Sequence, residues 1–267
     1  MRPMPIAALS KAKLRQYARL HQKKFRDQEG LFLAEGLRTV RELCLNLPAE
    51  EMLVALIVRE GESVSFAEIH KGKLFSISEK ECSQLAETSS SQGIFGVFRH
   101  YSTLSPDCKA DGRAMEKSFV VALDDVQDPG NVGTILRTAV WFGADAMVCS
   151  SGTADRYNAK AVRSCAGSIY AIRHYGVECL QVELRQLQKQ GYCIVCSSLE
   201  GKDFREFSSW PEKLVLVIGN EANGISETVR AMADRLVRIP HGGESVRVES
   251  LNASVSAAIL MERLTLS

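Results

Sequence analysis

The chain has 267 residues, 45% of them hydrophobic, and its 33 basic and 32 acidic side chains leave a net charge of +1. That length exceeds the roughly 100–200 residues usual for one domain and predicts two. No apolar run approaches the roughly 20 residues that span a bilayer, and the charged N-terminus lacks the apolar core of a secretory signal, so a soluble cytoplasmic protein is expected.

Residues 1–26 hold Arg2, Lys11, Lys13, Arg15, Arg19, Lys23, Lys24 and Arg26 and no acid, a local charge of +8 before Asp27. Three readings fit such a segment: a phosphate-binding surface, a solvated helix face balanced by acids elsewhere, and an organellar targeting segment. The pattern predicts a basic helix at about 10–26, a second helix at about 36–45, a strand over 53–58, a helix at about 79–86 and a strand over 93–98. This alternation argues for a small α/β domain at 1–105. A polar stretch with Pro106 and Gly112 and no sustained period reads as a linker, placed at 106–118.

From 119 to 267 the pattern is cleaner. Strands are expected over 119–123, 146–149, 192–197, 214–218 and 236–239. Helices are expected over 131–142, at about 156–166, 180–190 and 226–234, and from about Asn252 onward. These strands are continuous apolar runs, which predicts a mostly parallel sheet covered by helices on both faces, with ligands at the carboxyl ends of its strands.

Eight cysteines are scattered along the chain, several inside apolar runs, in keeping with a reduced compartment. Cys193 and Cys196 have redox or zinc-ligand spacing, but they lie in a strand-like run with no second pair to complete a tetrahedral site, so a packing role is expected. The histidines form no metal-ligand cluster with them. No dinucleotide fingerprint, P-loop or nucleophile elbow is present, which argues against nucleotide and serine hydrolysis.

The run Leu214–Ile218 leads directly into Gly219-Asn220-Glu221-Ala222-Asn223-Gly224, turning a buried strand into a loop dense in backbone donors. Glu221 has two readings: a helix cap or partner of a nearby cation, or a group that pairs with Arg137 or shapes a pocket. On the helix from Asn131, expected as its N-cap, Val132, Ile135, Leu136 and Ala139 share one sector and Arg137 falls nearly opposite. Arg137 is either an ordinary solvated arginine or part of a site, since Asp124, Asp125, Gln127 and Asp128 crowd the strand end just before it. Asn252 lies where the chain enters the last helix, and an N-cap role for Asn252 or Ser250 is compatible with ligand contact.

Asn131-x-Gly133-x-x-x-Arg137-Thr138-Ala139, Gly219-Asn220-Glu221-x-x-Gly224-Ile225-Ser226, and Ile239-Pro240 with Ser250-Leu251-Asn252 resemble the three motifs of the SpoU/TrmH family of RNA ribose 2′-O-methyltransferases. Phe32-Leu33-Ala34-Glu35-Gly36 and Gln92-Gly93 resemble that family's N-terminal substrate-binding domain. The resemblance implies S-adenosylmethionine held in a deep trefoil knot by the backbone at Gly219, Ile239 and Leu251, with Asn220, Glu221 and Asn252 alongside. It implies a homodimer, no metal, and a catalytic set of Arg137, Asn131, Glu221, Ser250 and Asn252. The RNA-binding residues expected are Lys11, Lys13, Arg15, Lys23, Lys24 and Arg26, with ribosomal RNA favoured over transfer RNA. The competing class is a non-catalytic RNA-binding or ribosome-assembly factor that keeps the fold. The nine residues between Pro240 and Ser250 are a few more than the family pattern implies.

Overall fold

The basic lead-in, expected as one helix, is two: α1 (Lys11–Ala18) and α2 (Lys23–Glu29), joined by a 3-10 turn at Arg19–His21. The break falls at Gln22, whose extended backbone (ψ 131°) cannot continue a helix. Ser10 caps α1 through its side chain, and Gly30, left-handed at φ 63°, ends α2. The computed structural model describes residues 6–62, 64, 72–88, 90–101, 117–242 and 248–265. The expected linker, apart from 117 and 118, lies outside the described residues.

The chain forms two compact units, the first comprising 1–101 with 155–171, the second 102–154 with 172–267. In the first unit β1 (Ala7–Ala8), β2 (Leu31–Glu35), β3 (Leu53–Arg59), β4 (Leu74–Ile77) and β5 (Ile94–Arg99) form a mixed sheet in the order β1-β4-β3-β5-β2. β3 runs parallel to β4 and antiparallel to β5, and β2 is antiparallel to β5. Helices α3 (Leu37–Leu45) and α4 (Glu79–Leu85) match the sequence expectation, and Ser78 with Glu81 forms a capping box on α4.

The helix expected at about 156–166 is α6 (Ala159–Cys165), and it packs within the first unit although the sequence reading placed it in the second domain. Two residues just ahead of it tie the segment to this unit. Tyr157 lies against the Phe32 ring (5.0 Å) and stacks on His100 (3.9 Å, 3°), and Asp155 pairs with Arg26.

In the second unit, β6 (Ser118–Asp124), β7 (Ala146–Cys149), β8 (Arg173–Gly176), β9 (Cys193–Asp203), β10 (Lys213–Gly219) and β11 (Arg235–Arg238) are ordered β11-β9-β10-β6-β7-β8. Every pairing is parallel, and β6, β7 and the centre of β10 are wholly buried, as continuous apolar runs require. The helices are α5 (Pro129–Trp141), α7 (Leu180–Lys189), α8 (Glu227–Arg230) and α9 (Ala253–Thr265). Chain order reverses beside β6, which places β7 on one side and β10 on the other. The carboxyl ends of β6 and β10 therefore border a topological switch point. Among the described residues no helix is long and apolar enough to cross a membrane.

Candidate active site

The loops leaving β6 and β10 are tied together by polar side chains. At the end of β6, Asp125 adopts a left-handed backbone (φ 59°), costly for a residue with a Cβ. Its amide donates to Ser150 Oγ (2.9 Å), Ser150 Oγ donates back to its carboxylate, and its carbonyl accepts from Asn220 Nδ2 (2.8 Å). Gly152 abuts the same carboxylate so closely that a Cβ there would collide with it.

The helix that follows starts earlier than expected. Its N-cap is Asp128, whose carboxylate accepts from the Asn131 amide (3.0 Å), and Pro129 occupies the first turn, where its missing N–H costs nothing. Asn131, expected as the cap, is thus freed to point its amide elsewhere. Gly143 at φ 70° ends the helix. Val132, Ile135, Leu136 and Ala139 are buried and Arg137 is exposed, in agreement with the helical periodicity.

Glu221 does not pair with Arg137. It accepts from Asn131 Nδ2 (2.8 Å) and from the amides of Gln127 (3.2 Å) and Asp128 (3.4 Å). Burial raises its pKa, but these hydrogen bonds outweigh burial and hold the carboxyl below its ordinary value. Asn131 Oδ1 in turn accepts from Asn252 Nδ2 (3.0 Å), and Asn252 Oδ1 caps α9 by accepting from the Ser254 amide (2.9 Å). The motifs are therefore joined in one chain, Glu221 to Asn131 to Asn252.

Asn220 is likewise committed inside its loop, with Oδ1 accepting from the amides of Ala222 (2.9 Å) and Asn223 (3.0 Å). Ser250 is exposed. Arg137 has no hydrogen-bond or ion-pair partner among the described residues, so its guanidinium remains available.

Beside this network lies a cavity of about 650 Å³, within the range of small-molecule sites. Gly219, Asn220, Glu221, Ile239, Ser250 and Leu251 line it; Asn131, Arg137 and Asn252 do not. Three side chains lining it, Leu199, Val248 and Leu251, are apolar yet 57%, 65% and 47% exposed, as suits surfaces that flank a flat ring. Gly219 has no room for a Cβ because the backbone of Gly224 and Ile225 presses against it. Loop backbone, apolar walls and scattered hydroxyls fit an adenosine bearing polar ends. Gly201, outside the sequence-predicted set, seats the bulged partner strand at Leu236/Val237, where a Cβ would meet backbone at 2.6 Å. Residues 243–247 of the longer loop lie outside the described residues.

The cysteine pair sits in β9, where burial pushes the Cys196 thiol up to about 12 and also raises Cys193, which leaves both unreactive. Among the described residues no group of three or more His, Cys, Asp or Glu could hold a metal ion.

Of the basic residues expected to meet RNA, Lys11, Lys13, Arg15, Lys23 and Lys24 are exposed on α1 and α2. Arg26 is the exception, being only 4% exposed. Its Nε and Nη2 bond Asp155 (2.9 and 2.6 Å), and its Nη1 bonds the carbonyls of Leu20 and His21 (2.7 and 2.8 Å). With four of its five donors taken and the side chain buried, Arg26 is not presented to phosphate.

A parallel α/β sheet with a donor-rich loop and a cavity at its switch point, and an arginine without a partner among the described residues on the adjoining helix, places a ligand site where such sheets carry one. The SpoU rRNA Methylase family matches residues 118–262, and the MRM3-like substrate binding domain matches residues 11–96. The chain belongs to the SpoU rRNA methylase family. It is 31% identical, over 97% of its length and 98% of the relative's, to the 23S rRNA (guanosine(2553)-2′-O)-methyltransferase RlmP of Bacillus subtilis. Among solved structures, an AdoMet-bound rRNA methyltransferase from Sinorhizobium meliloti superposes with a TM-score of 0.79 at 28% identity, covering 97% of this chain and 96% of that one. A putative RNA methyltransferase of the TrmH family from Porphyromonas gingivalis gives 0.77 at 27% identity, covering 97% and 99%. S-adenosylmethionine is the cofactor of this class, and the cavity suits it.

Proposed function

We propose that the protein methylates the 2′-hydroxyl of a ribose in large-subunit ribosomal RNA, in the cytoplasm and as a homodimer whose C-terminal segment is threaded in the trefoil knot of its family. The observation that carries this reading is Arg137, exposed and without a partner among the described residues, on the helix whose first turns are bonded to the cavity loop through Asn131 and Glu221. The 31% identity to a 23S rRNA guanosine 2′-O-methyltransferase supports the choice of RNA.

S-adenosylmethionine, when bound, supplies a methyl group already activated on a sulfonium. The backbone at Gly219, Ile239 and Leu251 would hold it between the apolar walls, while Asn220, Glu221, Asn131 and Asn252 fix the loops that present that backbone. Ser250, exposed beside them, is available to the substrate ribose. Arg137 cannot act as a base, because a guanidinium keeps its proton at a pKa above about 12. It clamps the phosphate next to the target ribose and stabilises the developing alkoxide. The hydroxyl proton leaves to a substrate phosphate or to water. Much of the acceleration comes from holding the hydroxyl in line.

The test is transfer of labelled methyl from S-adenosylmethionine to ribosomal RNA from cells lacking this activity, with the product mapped by nuclease digestion and mass spectrometry. Wild type is expected to yield a 2′-O-methylated nucleotide in the large-subunit RNA. Arg137→Ala should lower the rate by on the order of 10³ with cofactor binding unchanged. Near-normal turnover by Arg137→Lys would rule out a guanidinium-specific role, and bound cofactor without transfer to any RNA would overturn the enzymatic reading.

A further inference from the structure

Arg19 belongs to the acid-free lead-in but is not among the residues assigned above to RNA. It stands at the junction where α1 passes into the 3-10 turn. Its guanidinium carbon lies 3.7 Å from the centroid of the Phe25 ring, a distance reached only when the guanidinium plane rests on the ring face. The side chain is exposed and makes no hydrogen bond or ion pair with any described residue. Two members of the tract are committed elsewhere. Lys23 is paired with Asp27 at 2.7 Å, and Arg26 is consumed by Asp155. Lys24 approaches the same ring at 6.0 Å, so one aromatic ring gathers two exposed cations.

Phosphate attraction alone would be served equally well by a mobile lysine. A guanidinium held flat on an aromatic ring is a pre-oriented, apolar-faced plane carrying charge, and such planes stack unpaired bases. A base in an RNA duplex has no free face to offer.

We infer that Arg19, held flat by Phe25, is a stacking platform for an unpaired base of the RNA substrate. The inference rests on the expectation from the sequence that the basic lead-in meets RNA, and it narrows the feature bound there from any phosphate backbone to a single-stranded loop or bulge.

The experiment measures binding of the full-length protein, by fluorescence anisotropy over a salt series, to a short single-stranded RNA, the same strand with abasic positions, and a duplex of equal charge. Arg19→Lys keeps the charge and removes the plane. It is expected to weaken single-strand binding by about tenfold, leave duplex and abasic binding unchanged, and preserve the salt slope. Phe25→Leu should reproduce that selective loss. Lys13→Ala should weaken all three RNAs alike and reduce the slope by about 1. If Arg19→Lys binds the single strand as wild type does while Lys13→Ala weakens it, the platform is wrong and the RNA surface stands. If Lys13→Ala and Lys24→Ala leave every affinity unchanged, the basic lead-in does not meet RNA and the inference falls with that reading.

Discussion

The two units spend their polar groups in different ways. In the first, charge is taken into the interior: Arg26 and Asp155 form an ion pair with side chains 5% and 13% exposed, and Glu35, 7% exposed, accepts from the Glu87 amide. In the second, Ser118, Asp124, Ser150 and His174 are buried, and a further, less buried set of polar side chains gathers at the loops after β6 and β10, where Glu221, Asn131, Asn252 and Asn220 bond to one another or to loop backbone. The first arrangement closes a structure over a sequence separation of 129 residues. The second shapes loops and leaves Arg137 without a partner among the described residues. A buried charge pair adds little net stability but is expensive to break, whereas a loop network can be perturbed with the core intact.

The sharpest way to break that contrast is to orphan the buried pair. Asp155→Ala should cost about 3–5 kcal/mol, read from the urea midpoint, because Arg26 would keep its burial and lose its counter-charge. Replacing both partners with apolar residues should recover most of that loss. If the single and double variants were equally stable, the pair would not be an interior one in energetic terms.

The loop network should respond less in stability. Gly152→Ala places a methyl against the Asp125 carboxylate and must displace it from Ser150. The expected cost is about 1–3 kcal/mol, with a loss of methyl transfer because the Asp125 carbonyl anchors Asn220. Glu221→Gln keeps the shape but turns an amide donor towards donors, so about 1–2 kcal/mol is expected, together with weaker cofactor binding by calorimetry. An unaltered cofactor affinity would separate that network from the cavity.

The smallest effect is one of pH in the first unit. Burial against Tyr157 is the main cause that lowers the His100 pKa from 6.5 to about 4, and its Nε2 has no partner among the described residues. Because the folded value is the lower one, the unfolded chain binds the extra proton between pH 4 and 6.5, so stability is full above that window and falls through it on acidification. Solvent access at this half-buried ring limits the loss to about 1–2 kcal/mol. Melting curves of His100→Phe should be flatter than wild type across that interval.

How much of this could be read from the residues depended on how local the cause was. The parallel sheet, the exposed face of Arg137 and the α9 cap at Asn252 follow from periodicity and short-range chemistry, and all three agree with the sequence reading. Helix starts were less legible. Asp128 outcompeted Asn131 as cap because Pro129 fits the first helical position, and Gln22 interrupts the lead-in with no proline or glycine to announce it. Strands β4 and β8 were not expected, and β8 carries Arg173 and His174 among its four residues, which leaves no apolar run. The fate of Arg26 was invisible, since its partner stands 129 residues away and nothing in a basic tract distinguishes the buried member from the exposed ones. The Glu221 partners were missed for a related reason: two are backbone amides, which any sequence supplies.

The return of residues 155–171 to the first unit bears on how the chain comes into being. During synthesis the N-terminal hundred residues emerge without Asp155 or Tyr157, so Arg26 and Phe32 must wait, uncovered, until the ribosome has delivered a stretch of the other unit as well. Neither half is then a natural fragment. A cut between 101 and 118 would strip one product of its counter-ion and aromatic cover, and would leave the other carrying an apolar segment with Tyr157, Ile169 and Tyr170 that has nothing of its own to pack against. Maturation is a joint event for the two units, and the time before residue 171 appears is when this protein is most exposed to aggregation.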